Sequence, residues 1–252
     1  MSFMDHLGEL RKRILLSLVP IVIFFIPCYY FSKEIFEFLM FPIIENLPEG
    51  SSMIFTRPTE GFITYLKVSF FGAIVLSVPF ILYQAWRFVS PALHKTEKQI
   101  VVPFILFGTI FFMLGAAFCY FIASPSAFRF LLNEYSSEYV KAFPAISEAL
   151  SFLMALIIGF GLVFEFPLII FILARIGLVT SSWLREKRKY AILLSAVVAA
   201  VLTPTTDAIS MAFMLVPLIV FYELGIVVAW IFGKKKIETG DKEQTETDTE
   251  FK

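Results

Sequence analysis

Long apolar runs separated by short polar stretches dominate the chain, at residues 14–31, 68–89, 101–123, 150–174, 190–202 and 208–232. A helix needs roughly 20 apolar residues to cross the hydrocarbon core, because every backbone N–H and C=O must be satisfied inside its own segment. Residues 190–202 fall short, at about 13 residues, so that run either crosses a thinned bilayer or reaches only part of the way. The turn cluster Thr203-Pro204-Thr205-Thr206-Asp207 then joins it to the last run in a tight helical hairpin. The pattern predicts an all-α membrane protein, a six-transmembrane-helix bundle whose fifth helix is short. An even number of crossings puts both termini on one side. Between the runs, residues 35–41 and 127–132 mix apolar and polar positions and predict short helices that cap the outer face.

Composition agrees with this picture: 58% of the 252 residues are hydrophobic, 31 are Phe, mean hydropathy is +0.82 and 17% are charged. A soluble domain of this length has no use for so much apolar surface. Net charge is zero, yet the cations are unevenly spread. Arg11, Lys12 and Arg13 precede the first run; Arg87, Lys95 and Lys98 follow the second; Arg175, Arg185, Lys187, Arg188 and Lys189 lie between the fourth and fifth; Lys234, Lys235 and Lys236 follow the sixth. The opposite face carries only Lys33, Arg57, Lys67, Arg129 and Lys141. By the positive-inside rule the richer face, with both termini, is cytoplasmic.

The first run follows a basic cluster, as a secretory signal does, but Tyr29-Tyr30-Phe31-Ser32-Lys33 lacks a small-x-small cleavage site, and an uncleaved helix is expected. Residues 1–238 then form a single integral membrane domain, and the acid-rich residues 239–252 are expected to be a disordered cytoplasmic tail. Cys28 and Cys119 lie within apolar runs and read as small buried hydrophobes; whether they pair stays open. His6 and His94 flank the runs, so no intramembrane His is available as base or ligand. The metalloprotease, nucleophile-elbow, P-loop and dinucleotide motifs are all absent, which argues against an intramembrane hydrolase or an ATP-driven pump. No catalytic residue, cofactor, metal or nucleic-acid partner is expected.

A few polar residues stand in costly or exposed places. Glu165 lies inside the fourth run, where an ionised carboxylate facing lipid costs roughly 2.5 to 3.5 kcal/mol on the insertion scale, so it must face protein, a water-filled cavity or a partner. It is either a structural group bonded to a neighbouring helix or a functional one. Pro167 removes a backbone donor and kinks the helix beside it. At the rim, Glu9 has an ordinary role open to it as the i,i+4 partner of Arg13. Glu97 has one too, beside a capping box of Thr96 and Gln99 at a helix start.

In these segments the chain resembles the TatC family, the receptor subunits of the twin-arginine protein translocase. The residues that carry the resemblance are His6-Leu7-x-Glu9-Leu10-Arg11-x-Arg13, then Pro58-x-Glu60-x-Phe62 with Lys67, then Phe88-Val89-x-Pro91-x-Leu93 ending in Glu97. Phe164-Glu165-x-Pro167, Leu202-Thr203-Pro204 with Asp207, and Tyr222-Glu223-Leu224-Gly225 continue it. Family members often carry Tyr and Arg where this chain has His94 and Lys98. The resemblance implies a receptor in a bacterial or archaeal cytoplasmic membrane, a six-transmembrane-helix bundle, N-in and C-in, with the last two helices short. It would bind twin-arginine signal peptides of folded cargo through Glu9, Leu10, Arg11, Pro91 and Glu97. It would also recruit single-span TatA-type and TatB-type subunits for export driven by the proton-motive force, and assemble as a homo-oligomer within a larger complex. Glu165 and Pro167 are implied partner contacts; Pro58, Glu60, Phe62 and Asp207 form the outer-loop motif. Carboxylates suit such cargo, because they offer bidentate, charge-assisted bonds to a planar guanidinium.

A secondary transporter of a small solute is the competing reading. It rests on the intramembrane Glu and on prolines within the runs at Pro20, Pro79, Pro103, Pro167 and Pro217. No inverted repeat is visible, and the sharpest motifs lie at the rim rather than the midplane.

Overall fold

A computed structural model of the protein describes residues 3–90, 101–133, 142–202 and 208–233. Ten α-helices lie within those residues: α1 Phe3–Tyr30, α2 Ser32–Ile44, α3 Glu60–Val89, α4 Val101–Phe118, α5 Ser124–Asn133, α6 Ile146–Phe164, α7 Phe166–Arg175, α8 Ser181–Glu186, α9 Arg188–Leu202 and α10 Ala208–Phe232. The only extended pairing among the described residues is one isolated parallel bridge, Ile54 to Ala145. The chain is an all-α membrane protein.

Among the described residues, five helical segments are long and apolar enough to cross a membrane: Met4–Tyr30, Glu60–Val89, Val101–Leu132, Ile146–Arg175 and Met211–Phe232. The sixth expected crossing, residues 190–202, lies on α9, which has 15 residues and falls below that length. One expectation is corrected here. The last helix, α10, is not short: it runs for 25 residues, because nothing in 208–232 breaks it and Pro217 is absorbed inside it. Shortness is confined to α9. The two outer helices anticipated at 35–41 and 127–132 are present as α2 and α5.

Helix ends follow local chemistry. Gly177, with φ of 80°, closes α7 in a Schellman arrangement, in which Leu178 N–H donates to Leu173 O at 2.9 Å and Gly177 N–H to Ala174 O at 3.2 Å. Thr180 caps α8 by accepting from Trp183 N–H at 3.2 Å. Between α4 and α5, residues Cys119–Ala123 form a π-turn just ahead of Pro125, which has no N–H to give to a regular ladder. Tyr120, on that turn, donates its hydroxyl to Phe38 O at 2.6 Å and stacks on the Phe38 ring at 4.4 Å, tying the bend to α2.

The α6–α7 segment is the most buried of the five, with Leu150, Leu153 and Phe160 in the centre of the main core. Two glycines let α4 come close to it. A Cβ on Gly115 would lie 2.6 Å from the Phe160 carbonyl oxygen, and one on Gly161 2.5 Å from the Phe112 ring. Small residues are how helices approach in lipid, where apolar burial gives no driving force between them. Cys28 and Cys119 are both buried and free.

Candidate functional site

Helix α1 runs antiparallel to α3, so its first turns meet the end of α3. There His6 stacks on Phe88 with ring centroids 4.4 Å apart. Arg13 bridges the two helices, donating to Glu9 Oε1 at 3.0 Å on its own helix and to Gln84 Oε1 at 3.3 Å on α3. The i,i+4 pair anticipated between Glu9 and Arg13 therefore forms, with side chains only 16% and 12% exposed. Its second half is empty: Glu9 Oε2 and Arg13 Nε are buried with no hydrogen-bond partner among the described residues. Leu10 and Arg11 point outward on the same turn. Pro91 and Glu97, the other rim candidates, lie outside the described residues.

Glu165 sits at the break between α6 and α7 and is 6% exposed. Its N–H donates to Leu162 O at 3.2 Å, a tightened last turn, and Pro167, buried beside it, opens α7. The carboxylate packs on α4: a Cβ added to Gly108 would lie 3.2 Å from Glu165 Oε2 and 2.7 Å from Leu82 of α3. Glu165 Oε1 is buried and has no partner among the described residues. The side chain thus turns toward α4 and faces protein, one of the surroundings the sequence allowed it. The break at 165–167 sets that direction.

On the other rim, Glu60 holds two segments together. One oxygen accepts from Ser147 N–H at 2.9 Å, at the N-terminus of α6; the other accepts from Thr56 N–H and Oγ1 and from Arg57 N–H. A carboxylate facing orphan N–H groups at a helix start is favoured by hydrogen bonding and by the macrodipole. Ile54 adds two backbone bonds to the same junction, from its N–H to Pro144 O and from Ile146 N–H to its carbonyl. Lys67 completes the join by donating to Ser147 and Ser151 Oγ, each at 3.0 Å. Pro58 and Phe62 stay exposed, and Asp207 lies outside the described residues. Gln84, Ser147 and Ser151 were not anticipated. Of these, only the two serines left a signal, as an i,i+4 polar pair at the head of an apolar run.

Residues 5–217 match the family model described as Sec-independent protein translocase protein (TatC). The chain belongs to the TatC family. A TatC relative from Desulforapulum autotrophicum is 42% identical over 234 residues, covering 93% of this chain and 86% of the relative. TatC from Escherichia coli K12 is 39% identical over 221 residues, covering 88% and 85%. A crystal structure described as the twin arginine translocase receptor TatC superposes with a TM-score of 0.79 at 35% identity, covering 89% of this chain and 97% of that one. TatC proteins are translocase components, not enzymes, and solute carriers are not among these relatives. Nothing in the comparisons supports the transporter reading.

Proposed function

We propose that this TatC chain is the receptor subunit of a twin-arginine translocase and takes the signal peptide's guanidinium groups at the rim that carries Glu9. The observation that carries the reading is the half-used carboxylate. Arg13 already holds Glu9 Oε1 at 3.0 Å, so the position accepts a guanidinium, while Oε2 is buried with no described partner. Glu97 and Pro91 supply the second half of the site, and Leu10 and Arg11 flank it. An Arg fork engages both oxygens of a carboxylate where an ammonium acts as a point charge, which makes the pair selective for arginine.

In this reading the Glu9 rim is cytoplasmic, both termini are cytoplasmic, and α9 is a sixth, short crossing. Residues 1–238 are the membrane domain in a bacterial or archaeal inner membrane, and 239–252 are its acidic tail. TatA-type and TatB-type single-span subunits join it in a complex holding several copies of the chain, and export draws on the proton-motive force. Glu165 and Pro167 couple to those subunits through a polar group that reaches in beside α4. The outer-loop motif, Pro58, Glu60, Phe62 and Asp207, keeps the far face closed.

Site-specific photo-crosslinking tests the reading. Probes at residues 9 and 97 capture a twin-arginine signal peptide, a probe at 165 does not, and a twin-lysine peptide crosslinks weakly at all three. Equal capture of the twin-lysine peptide, or capture at 165 alone, would overturn it.

A further inference from the structure

An aromatic groove of about 560 Å³ opens on the outside of the bundle between α4, α7 and α10. Phe107, Phe111, Phe164, Phe221 and Phe232 line it, and its polar side chain is Arg175, the last residue of α7. The Arg175 guanidinium lies over two rings, 5.5 Å from the Phe171 centroid and 5.9 Å from that of Phe232. It makes no ion pair among the described residues, and its Nε is buried with no partner there. Such a cation, desolvated on one side and steadied by π-faces, is incomplete without an anion.

The groove's length says what brings the anion. Its lining runs along α10 from Phe232 to Phe221, eleven steps of helical rise, or about 16 Å at 1.5 Å per residue. That is about half of a ~30 Å hydrocarbon core, which is one leaflet. Beyond Phe221 the groove closes: Phe164 and Phe221 touch at 4.4 Å between centroids, and Leu218 and Met214 are buried in the core. A transmembrane helix of a partner would need a track across both leaflets. A single lipid, with its headgroup at Arg175 and an acyl chain against the phenylalanines, needs one.

We propose that this groove is a binding site for one anionic phospholipid of the leaflet on the Arg175 side, its phosphate held by Arg175 and its chain lying against the rings of α4, α7 and α10. Basic pockets between transmembrane helices select anionic headgroups in this way. Filled, the site would hold the end of α7 against α10.

Native mass spectrometry of the full-length protein, titrated with phosphatidylglycerol or phosphatidylcholine of identical chains, tests it. The first phosphatidylglycerol binds about fivefold tighter, the worth of one well-placed cation near a membrane surface. Arg175→Gln removes the preference and Arg175→Lys keeps most of it. Leu224→Trp, which fills the groove from α10, weakens both lipids. Thermal unfolding of each variant confirms that it is folded. Equal binding of the two lipids by the unmodified protein would assign the groove to an apolar protein segment and overturn the proposal. A preference that survives Arg175→Gln, which would assign it to Lys234, Lys235 and Lys236, would overturn it as well. So would a Leu224→Trp variant that binds as the parent does.

Discussion

Three glutamates of this chain show how position decides what a carboxylate does. Glu60 accepts from four donors on two segments, so its charge is fully used in holding the 54–59 loop to the start of α6. Glu9 is half used, by Arg13, and Glu165 keeps one oxygen buried without a described partner. An oxygen that is buried and unmatched costs stability, so Glu9 and Glu165 each carry a desolvation cost that Glu60 does not. Replacement at Glu60 therefore acts on stability first. Glu60→Ala strands Ser147 N–H and Thr56 N–H, and Glu60→Gln leaves one acceptor oxygen of weaker strength. The unfolding midpoint in detergent is expected to fall by several degrees for Gln and further for Ala. Wild-type midpoints for both would show that the bonds to α6 contribute nothing.

Among the elements, the contact of α4 with α6 depends on two glycines facing in opposite directions across it. Gly115→Ala drives a methyl into the Phe160 carbonyl, a backbone atom that cannot rotate away, and Gly161→Ala drives one into the Phe112 ring, itself buried. Overpacking of this kind costs about 1–3 kcal/mol. Both variants should lose stability, Gly115→Ala the more. Gly8→Ala is the control, since nothing lies within 4 Å of its added Cβ and Ala is the better helix former. Equal stability for all three, measured by thermal unfolding, would mean that α4 is free to slide. Two further helix junctions, the π-turn at Cys119–Ala123 and the break at Glu165, each place a proline where a regular ladder would fail.

For the whole molecule, packing fixes which helix ends share a rim. Gln84 and Phe88 of α3 meet α1 at its start. Trp86 of α3 and Phe104 of α4 cluster with Leu168, Ile172 and Ile176, and Arg175 meets Phe232 at the end of α10. The start of α1, the end of α3, the start of α4, the end of α7 and the end of α10 thus lie together, and Arg11, Lys12, Arg13, Arg87 and Arg175 stand at those ends. Under the proposed orientation this rim is cytoplasmic. A cysteine replacing Glu186, on the exposed face of α8, is then labelled by an impermeant reagent only in inverted vesicles. One replacing Ser52 is labelled in intact cells. The two native cysteines are buried and stay silent. The reverse pattern would reject the orientation and, with it, a cytoplasmic binding site at Glu9.

Hydrophobic run length alone determined that the chain is an all-helical membrane protein and where most of its long helices lie, because an exposed backbone in hydrocarbon has no substitute partner and every crossing must announce itself as an apolar stretch. Short-range spacing likewise determined the Glu9–Arg13 pair, since residues four apart on a helix are neighbours whatever surrounds them. The burial of Glu165 was legible from its cost. What it faces was not, because Gly108 is distant in sequence and only the packing of α4 on α6 brings it to the carboxylate. The same holds for Gln84 on Arg13, for the hold of Glu60 and Lys67 on the head of α6, and for the groove beneath Arg175. In lipid, apolar character is spent on the solvent as readily as on the core, so the pattern that marks a helix as membrane-spanning carries little information about which of its faces meets which neighbour. That choice was left to the glycines, the kinks and the few polar groups, and it is visible only in the tertiary structure.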